Sequence, residues 1–193
     1  MSERATFDLA LRLRDGGAPL GEVFSFLSGL YFRGKLAYAR AFVRAPDPES
    51  AISGAGVFVI TPTAGLRAVH TVVTLEARKA FAKVHVAAEN PSYRRPLERS
   101  VKQIAADIGP DCDVVLLGSI ASAKYVDVLQ SIFGGRLLFP REFVGRGDMS
   151  RGGLMLRCAS AGEELGYIPV AGAVRHGQRP PRLDPRTRVK FTG

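Results

Sequence analysis

The chain has 193 residues, a length that suits one domain with room for a full hydrophobic core. Its 46% hydrophobic and 23% charged residues are typical of a soluble globular protein, and no apolar run reaches the roughly 18 to 20 residues of a membrane helix. The opening MSERATFDLALRLRDGG lacks a signal-peptide core, so we expect a cytoplasmic protein that makes no membrane contact, and the unusual property is a net charge of +9.

The N-terminal part of the chain combines an alternating segment with a long helical one. Apolar and polar residues alternate over Ala5–Leu13, which fits a strand, although a short helix is also compatible with it. A turn at Asp15-Gly16-Gly17 follows. Apolar residues then recur every three or four positions over Pro19–Val43, and Gly29 and Gly34 interrupt this pattern, which predicts two helices or one kinked helix.

The middle of the chain alternates short apolar runs with helical patterns. After a loop at Pro46–Ser53, VFVI at Val57–Ile60 is predicted to be a buried strand that ends in the tight loop TPTAGL. The remaining elements are a helix at Thr74–Phe81 with Thr74 as its N-cap, a strand at Val84–Ala87, a break at Asn90-Pro91 and a helix at Pro96–Ile108.

The most informative stretch is Asp113–Arg157, because it has the order strand, tight turn, helix, strand of a βαβ unit. Ligands of such units bind beyond the carboxyl ends of the strands. The predicted elements are a strand at Val114–Leu117, a helix at Lys124–Phe133, a strand at Arg136–Phe139, a glycine-rich loop at Gly145–Gly153, a helix at Gly152–Glu164 and an extended piece at Gly166–Val170.

Continuous apolar strands that alternate with helices predict an α/β fold with a Rossmann-like, mostly parallel sheet flanked by helices. We assign residues 1–172 to this single domain and residues 173–193 to a basic, Pro/Arg-rich tail. From Ala171 to Gly193, six basic residues oppose Asp184, so this segment contributes +5 of the charge; the basic residues are Arg175, Arg179, Arg182, Arg186, Arg188 and Lys190. Polyanions such as DNA or RNA are the natural partners of such a segment, and a solvated extension is the alternative.

The turn after the strand at Leu117 is the first candidate site. Gly118 and Ser119 are small enough for backbone amides to face a ligand at a helix N-terminus, where the dipole favours phosphate. Lys124 and Tyr125 would add a cation and a hydroxyl. The alternative is a strand-to-helix turn whose small residues allow close packing.

The loop GRGDMSRGG at Gly145–Gly153 is the second candidate. Arg146 and Arg151 could grip phosphate bidentately, Ser150 or Asp148 could cap the next helix, and Asp148 could orient a sugar hydroxyl or act as a base. The alternative is an exposed loop in which Asp148 pairs with a neighbouring arginine.

Two further segments complete the candidate site. Tyr31, Arg33 and Lys35 place a phenol and two cations together, so that a base could stack on the aromatic ring while a cation meets phosphate; the alternative is that the aromatic residues belong to the core. Thr61, Thr63 and Gly65 of TPTAGL follow a strand, and if that strand is a parallel neighbour of the one at Val114, both loops face one crevice.

Other site classes have little sequence support. Cys112 and Cys158 form no CxxC pair and are interpreted as reduced, buried thiols, and the scattered His70, His85 and His176 share no metal-ligand spacing with them. We therefore predict no metal and no cofactor. The absence of a Gly-x-Ser-x-Gly elbow and of a carboxylate dyad argues against a serine hydrolase and a conventional glycosidase.

The order of four segments resembles small Rossmann-like proteins distantly related to the YaaA peroxide-response family. These segments are LYFRGKLAYA, VFVITPTAGL, DVVLLGSIASAKYVDVL and RLLFP, within roughly residues 24 to 140. In the family, a helix with a Y-x-x-x-F-like element precedes a strand that ends in an S-A-x-x-G-L-type loop, whose positions Thr61, Thr63, Gly65 and Leu66 would hold here. The resemblance implies an α/β protein associated with nucleic acid or nucleotides.

Three functional hypotheses follow. The first is a protein that binds a phosphate-bearing ligand, nucleotide or nucleic acid. The second is an enzyme that acts on a nucleotide or phosphosugar, as a glycosidic-bond hydrolase or transferase, with Asp148 as acid/base and Tyr31, Ser119 or Lys124 as helpers. The third is a non-catalytic module that binds through its tail. The sequence leaves the oligomeric state open.

Overall fold

The computed structural model describes residues 3–121, 123–174, 177–178, 180–181 and 183, with side chains described from residue 8 onward. Helices and short strands alternate along this part of the chain, so the protein is mixed α/β. The helices are α1 Glu3–Asp15, α2 Leu20–Leu27, α3 Gly29–Phe42, α4 Leu75–Lys83, α5 Pro91–Asp107, α6 Ala123–Phe133 and α7 Asp148–Ala161. The strands are β1 Ala18–Pro19, β2 Phe58–Thr61, β3 Gly65–Ala68, β4 Val72–Val73, β5 Val114–Val115, β6 Leu137–Pro140 and β7 Tyr167–Pro169.

The strands form three small sheets. β1 pairs with β4 and β2 pairs with β3, both antiparallel. The third sheet has the order β5-β6-β7, in which β5 and β6 are parallel and β7 is antiparallel to β6. Helix α6 connects the two parallel strands, so the predicted βαβ unit is confirmed.

The expected mostly parallel sheet is not formed by the described strands, since β5–β6 is their only parallel pair. The reason lies in the turn after β2. The hydroxyl of Thr61 donates to the carbonyl of Gly65 and accepts from the amide of Ala64, which closes a hairpin and pairs β2 with its immediate successor. A short apolar run such as VFVI fits either kind of sheet, so its sequence does not determine its partner.

Helices replace two predicted non-helical segments. The alternating segment Ala5–Leu13 lies in α1, where Leu9 and Leu13 are both buried one turn apart, so the strand prediction is wrong and the helical alternative is confirmed. Helix α7 begins at Asp148 rather than Gly152, so most of the predicted glycine-rich loop is helical. The predicted strand at Val84–Ala87 is irregular.

Several other boundaries agree with the sequence. The predicted division of Pro19–Val43 falls at Ser28, between α2 and α3. Thr74 caps α4 by accepting from the amide of Ala77 at 3.3 Å, as predicted. Helix α5 begins five residues before the predicted start because Asn90 caps it and Pro91 occupies the first helical position, while Pro96 lies inside the helix.

The main core lies between α3, α5, α6, α7 and the β5-β6-β7 sheet. Its fully buried side chains include Tyr38, Tyr93, Leu97, Leu137, Phe139, Phe143 and Met155. A smaller cluster holds the β2–β3 hairpin against α2 and α3, and includes Leu20, Leu36, Val59 and Val69. Among the described residues, no helix is long and apolar enough to cross a membrane.

Candidate functional site

Helices α3 and α7 touch backbone to backbone at two glycines. A Cβ atom added to Gly34 would lie 2.5 Å from the carbonyl oxygen of Gly152, and one added to Gly152 would lie 2.9 Å from the Cα of Tyr31. Larger residues would hold the helices apart. This approach brings Tyr31 and Lys35, on α3, next to the first turn of α7 with Asp148 and Arg151.

Lys35 is the cation at the centre of this contact. Its Nζ lies 3.9 Å from the centre of the Tyr31 ring, a cation–π distance. Burial lowers the pKa of Lys35 to about 8, an effect that the Asp148 carboxylate opposes and the Arg151 guanidinium adds to. Lys35 has no carboxylate within 4.0 Å among the described residues. Part of the Lys35 amine is therefore unprotonated near neutral pH.

Tyr31 lies beside Lys35 with a buried hydroxyl. This hydroxyl has no hydrogen-bond partner of standard geometry within the described part of the chain. Burial raises the pKa of Tyr31 to about 12, although the neighbouring Arg151 guanidinium acts in the opposite direction. The Tyr31 phenol therefore stays neutral throughout the physiological range.

The arginines of the GRGDMSRGG segment are already engaged with protein oxygens. Arg151 donates from Nε and Nη2 to the carbonyl of Phe143, at 3.2 and 3.0 Å, and its side chain is only 14% exposed. Arg146 donates to the carbonyl of Glu142 at 3.0 Å and to the hydroxyl of Ser150 at 3.3 Å. These contacts attach the segment before α7 to the helix. They also leave fewer guanidinium N–H groups of Arg146 and Arg151 free to bind a ligand.

Asp148 is exposed and pairs with an arginine. Its side chain is 65% exposed, and its carboxylate lies 3.7 Å from Nη1 of Arg151. The helix N-cap is Gly147, which offers no side-chain cap, so neither Asp148 nor Ser150 caps α7. A carboxyl group that acts as a general acid or base needs a buried environment to shift its pKa, so Asp148 is a poor candidate for this role. Lys35, whose pKa is shifted, is the better candidate.

A cavity of about 760 Å³ adjoins Lys35 and lies between α3, strands β2 and β5, and parts of α5 and α6. Most of its lining is apolar, with aromatic rings from Phe24, Phe32 and Phe58. The polar side chains that line it are Ser28, Lys35, Tyr38, Arg44, Ser53, Thr61, Tyr93, Cys112, Asp113, Tyr125, Glu164 and Tyr167. The size and the sparse polar lining are those of small-molecule sites.

Gly118, in the predicted turn after β5, lines this cavity. The hydroxyl of Tyr125 donates to the carbonyl of Ser119 at 2.8 Å, and it lies so close to Gly118 that an added Cβ would be 2.9 Å away. The Ser119 hydroxyl accepts from the amide of Ala121 at 3.3 Å. Gly118 therefore serves close packing and lines the cavity as well.

The TPTAGL loop reaches the same cavity through Thr61, but its residues also build the hairpin. Gly65 has a φ of +68° and lies directly against the backbone of Pro96 on α5, where no side chain fits. Thr63 lines a different cavity, on the far side of the hairpin. The condition for the predicted convergence with the Gly118 turn is not met, because β2 and β5 belong to separate sheets; Thr61 and Pro62 nevertheless line the same cavity as Gly118.

Tyr93 is the site residue that the sequence did not single out. It is 1% exposed and lines the cavity, and its hydroxyl has no hydrogen-bond partner among the described residues. Burial raises its pKa to about 12, and Tyr125 lies near enough to add to this shift. Its position four residues before Leu97 continues the apolar stripe of α5, so extending that stripe across Pro96 would have found it.

Tyr38, Tyr167, Glu164 and Arg44, which also line the cavity, are joined by a chain of hydrogen bonds. The amide of Leu165 donates to the hydroxyl of Tyr38 at 2.7 Å, and the hydroxyls of Tyr38 and Tyr167 are 2.7 Å apart. Tyr167 donates to Glu164 at 3.0 Å, so Tyr38 is the donor to Tyr167. Arg44 completes the chain by donating to Glu164.

The remaining predicted residues lie outside this centre. Arg33 is exposed on α3 and Lys124 is exposed at the start of α6, and neither lines the cavity. Cys158 is buried as expected, whereas Cys112 is only partly buried and lines the cavity. In the described part of the chain, no group of three or more His, Cys, Asp or Glu side chains is placed to hold a metal ion.

Only fragments of the predicted basic tail are described. The carbonyl of Pro181 accepts from Arg146 at 3.4 Å, and Gly145, with a φ of +73°, passes directly beneath the carbonyl of Gln178. These fragments therefore lie against the start of α7. The charged residues on which the tail prediction depends, and also His176, lie outside the described residues.

Comparison of the chain with protein-family models, with curated proteins and with solved structures finds no match.

Proposed function

We propose that the protein binds a small phosphate-bearing ligand of the nucleotide type in the cavity beside Lys35. The observation that carries the proposal is the position of Lys35. This residue lines a largely apolar 760 Å³ cavity, and its amine has no ion-pair partner within the described chain. A buried cation is costly unless it is paired, and an anionic ligand would supply the missing charge.

The other polar groups support an oriented ligand rather than a free anion. The Tyr93 hydroxyl offers a hydrogen bond that no described residue uses, and Tyr93 and Gly118 line the same cavity as Lys35. Few polar groups in an apolar cavity fix orientation, and the apolar surface supplies most of the contact.

The aromatic lining supports a planar ring as the second part of the ligand. Phe24 and Phe32 lie with ring centres 5.5 Å apart, and Phe32 is three residues before Lys35 on α3. A nucleobase can stack on such rings while its phosphate meets the nearby amine.

Calorimetric titration of the full chain with AMP, adenosine, ribose 5-phosphate and inorganic phosphate tests the proposal. We expect AMP to bind more tightly than adenosine or phosphate alone. Lys35→Gln should weaken AMP binding about tenfold or more, because a charge-assisted contact is lost, and should leave adenosine binding nearly unchanged. Lys83→Gln, at an exposed lysine of α4 that does not line the cavity, is the matched control.

Two results would contradict the proposal. Equal AMP affinity in the Lys35→Gln and Lys83→Gln variants would place the anion elsewhere. No heat and no rise in melting temperature with any of these nucleotides or phosphosugars would exclude the ligand class, since binding to the folded state must stabilise it.

A second candidate function is catalysis on such a ligand, and the pKa of Lys35 is the observation that favours it. An amine with a pKa of about 8 is partly unprotonated near neutral pH and can accept a proton from a bound substrate. Product analysis after incubation with nucleotides and phosphosugars tests this. Turnover that Lys35→Gln abolishes but Asp148→Asn preserves would assign the proton transfer to the lysine.

The broader assignments from the sequence are part of the same proposal. The parallel β5-α6-β6 unit has the connection from which Rossmann-like sheets are built, which supports a Rossmann-like origin for this half of the chain. The cytoplasmic location and the relation to the YaaA peroxide-response family stay predictions.

A further inference from the structure

A second cavity lies on the other side of the β2–β3 hairpin, between the hairpin and α5. Its volume is about 490 Å³, and its lining is mainly polar. Phe58, Leu66 and Ile104 line both this groove and the Lys35 cavity, so these apolar side chains form the wall between the two.

The polar lining of the groove carries only positive or neutral groups. Arg67 from β3, Arg99 from α5 and His70 from the turn after β3 surround it, together with Thr63 and Gln103. None of the lining residues is Asp or Glu. Within the described residues, the side chains of Arg67 and Arg99 make neither an ion pair nor a hydrogen bond.

The two arginines are held across the groove by a rigid contact. The amide of Leu66 donates to the hydroxyl of Ser100 at 2.8 Å, one residue from each arginine along its own segment. Gly65 lies against the backbone of Pro96, so the hairpin cannot slide along α5 without a clash. The fold therefore fixes the spacing between the backbone segments that carry Arg67 and Arg99.

Further cations continue the groove along α5. Arg95, Arg99 and Lys102 are all exposed and follow each other at four- and three-residue steps, so they form one stripe on the helix surface. The stripe extends over about 10 Å at 1.5 Å per residue. Glu98, the acid within this stretch, pairs instead with Arg94 at 2.6 Å.

We propose that this groove, with its stripe on α5, binds the phosphodiester backbone of a single nucleic-acid strand. Several unpaired cations along one line suit successive phosphates better than one isolated anion. Phe58, which belongs to the wall, is the only Phe, Tyr or Trp among the lining residues, so backbone contacts rather than base stacking would dominate. The site is independent of Lys35, and the proposal does not rest on the nucleotide site.

Fluorescence anisotropy with labelled dT12 and U12, and with a 12-base-pair duplex, tests this inference over a series of salt concentrations. The Arg67→Gln/Arg99→Gln variant should bind the single strands about tenfold or more weakly and should show a salt slope smaller by about 1.4, as expected for two lost phosphate contacts. Arg40→Gln/Arg78→Gln removes the same charge at exposed positions outside both cavities and should behave like the parent chain.

Lys35→Gln should bind dT12 as the parent chain does, which separates this site from the cavity. Equal losses in the two double variants would mean that net charge alone attracts the strand, and would overturn the proposal. Duplex binding as tight as single-strand binding, or no binding at low salt, would overturn it too. Thermal melts of both double variants, whose substitutions are at exposed side chains, check that the fold is intact.

Discussion

The Nζ atom of Lys35 lies 3.9 Å from the centre of the Tyr31 ring, one helical turn away, in a contact that both residues make while largely buried. The ring compensates only part of the lost hydration of the ammonium group, so the pKa of Lys35 falls to about 8. Burial of the Lys35 charge should therefore lower the free energy of unfolding by a measurable amount.

The Lys35→Met variant should be more stable than the parent chain at pH 7, by up to about 3 kcal/mol, because methionine fills similar space without a charge. The folded pKa is lower than the unfolded one, so the unfolded state binds more protons between about pH 8 and 10.5, and the stability of the parent rises with pH in this window. The advantage of the variant should therefore disappear by about pH 10.5.

Denaturant unfolding from pH 7 to 10.5 measures this difference, with Lys83→Met as the exposed control. A gap between parent and Lys35→Met that does not change with pH would show that Lys35 is solvated. Tyrosine ionisation affects both chains alike, because Tyr31 and Tyr93, whose pKa values are about 12, are present in each.

Asp148→Asn should lower the pKa of Lys35 further, because the carboxylate now favours the ammonium form. Its effect on the free energy of unfolding should be below about 1 kcal/mol, since the pair with Arg151 is solvent-exposed on the Asp148 side. NMR titration of ¹³C-labelled lysine measures the pKa. Asp127→Asn, at an exposed residue of α6, should leave it unchanged, and an unchanged value in Asp148→Asn would contradict the described geometry.

Gly34→Ala and Gly152→Ala should each destabilise the protein by about 1 to 3 kcal/mol, because either Cβ would overlap the backbone of the opposite helix. Gly153→Ala is the matched control in the same helix. Its Cβ would meet only Leu183, at 3.6 Å, so the better helix propensity of alanine should stabilise α7 by up to about 1 kcal/mol. Equal effects in Gly152→Ala and Gly153→Ala would show that the helices are further apart.

The Tyr38→Phe and Tyr93→Phe variants should change the free energy of unfolding differently, although both remove a buried hydroxyl. The first leaves the amide of Leu165 without its acceptor and should cost about 1 to 3 kcal/mol. The second removes a hydroxyl with no described partner and should be neutral or stabilising. Urea unfolding compares them, and a large loss in Tyr93→Phe would reveal a partner for its hydroxyl.

The sequence predicted correctly those elements that depend on residues close together in the chain. The helix at Lys124–Phe133, the cap at Thr74 and the parallel pair around α6 follow from apolar spacing, a capping side chain and chain order. The start of α7 was missed because Gly152 and Gly153 resemble loop residues, whereas the first of them is needed at the contact with α3. The residues next to Gly152 in the sequence do not reveal that this glycine is needed for contact with α3.

The candidate site was predicted as a set of residues but not as an arrangement. Tyr31, Lys35, Asp148 and Arg151 were each singled out, and the structure brings them together. Their roles depend on burial, which the sequence does not give: Lys35 becomes the perturbed group, and Asp148 stays in solvent. Tyr93 was missed because Pro96 suggested a helix start rather than an interior proline.

The contact between Gly34 and Gly152 also has a consequence for synthesis. Helix α3 leaves the ribosome long before α7 exists, so the nascent chain carries an uncovered α3 surface until most of the protein has been translated. During this interval Lys35 is hydrated and its amine is an ordinary surface lysine. Arrival of α7 covers the apolar surface and removes water from the amine, so the pKa of Lys35 falls only in the last large folding event.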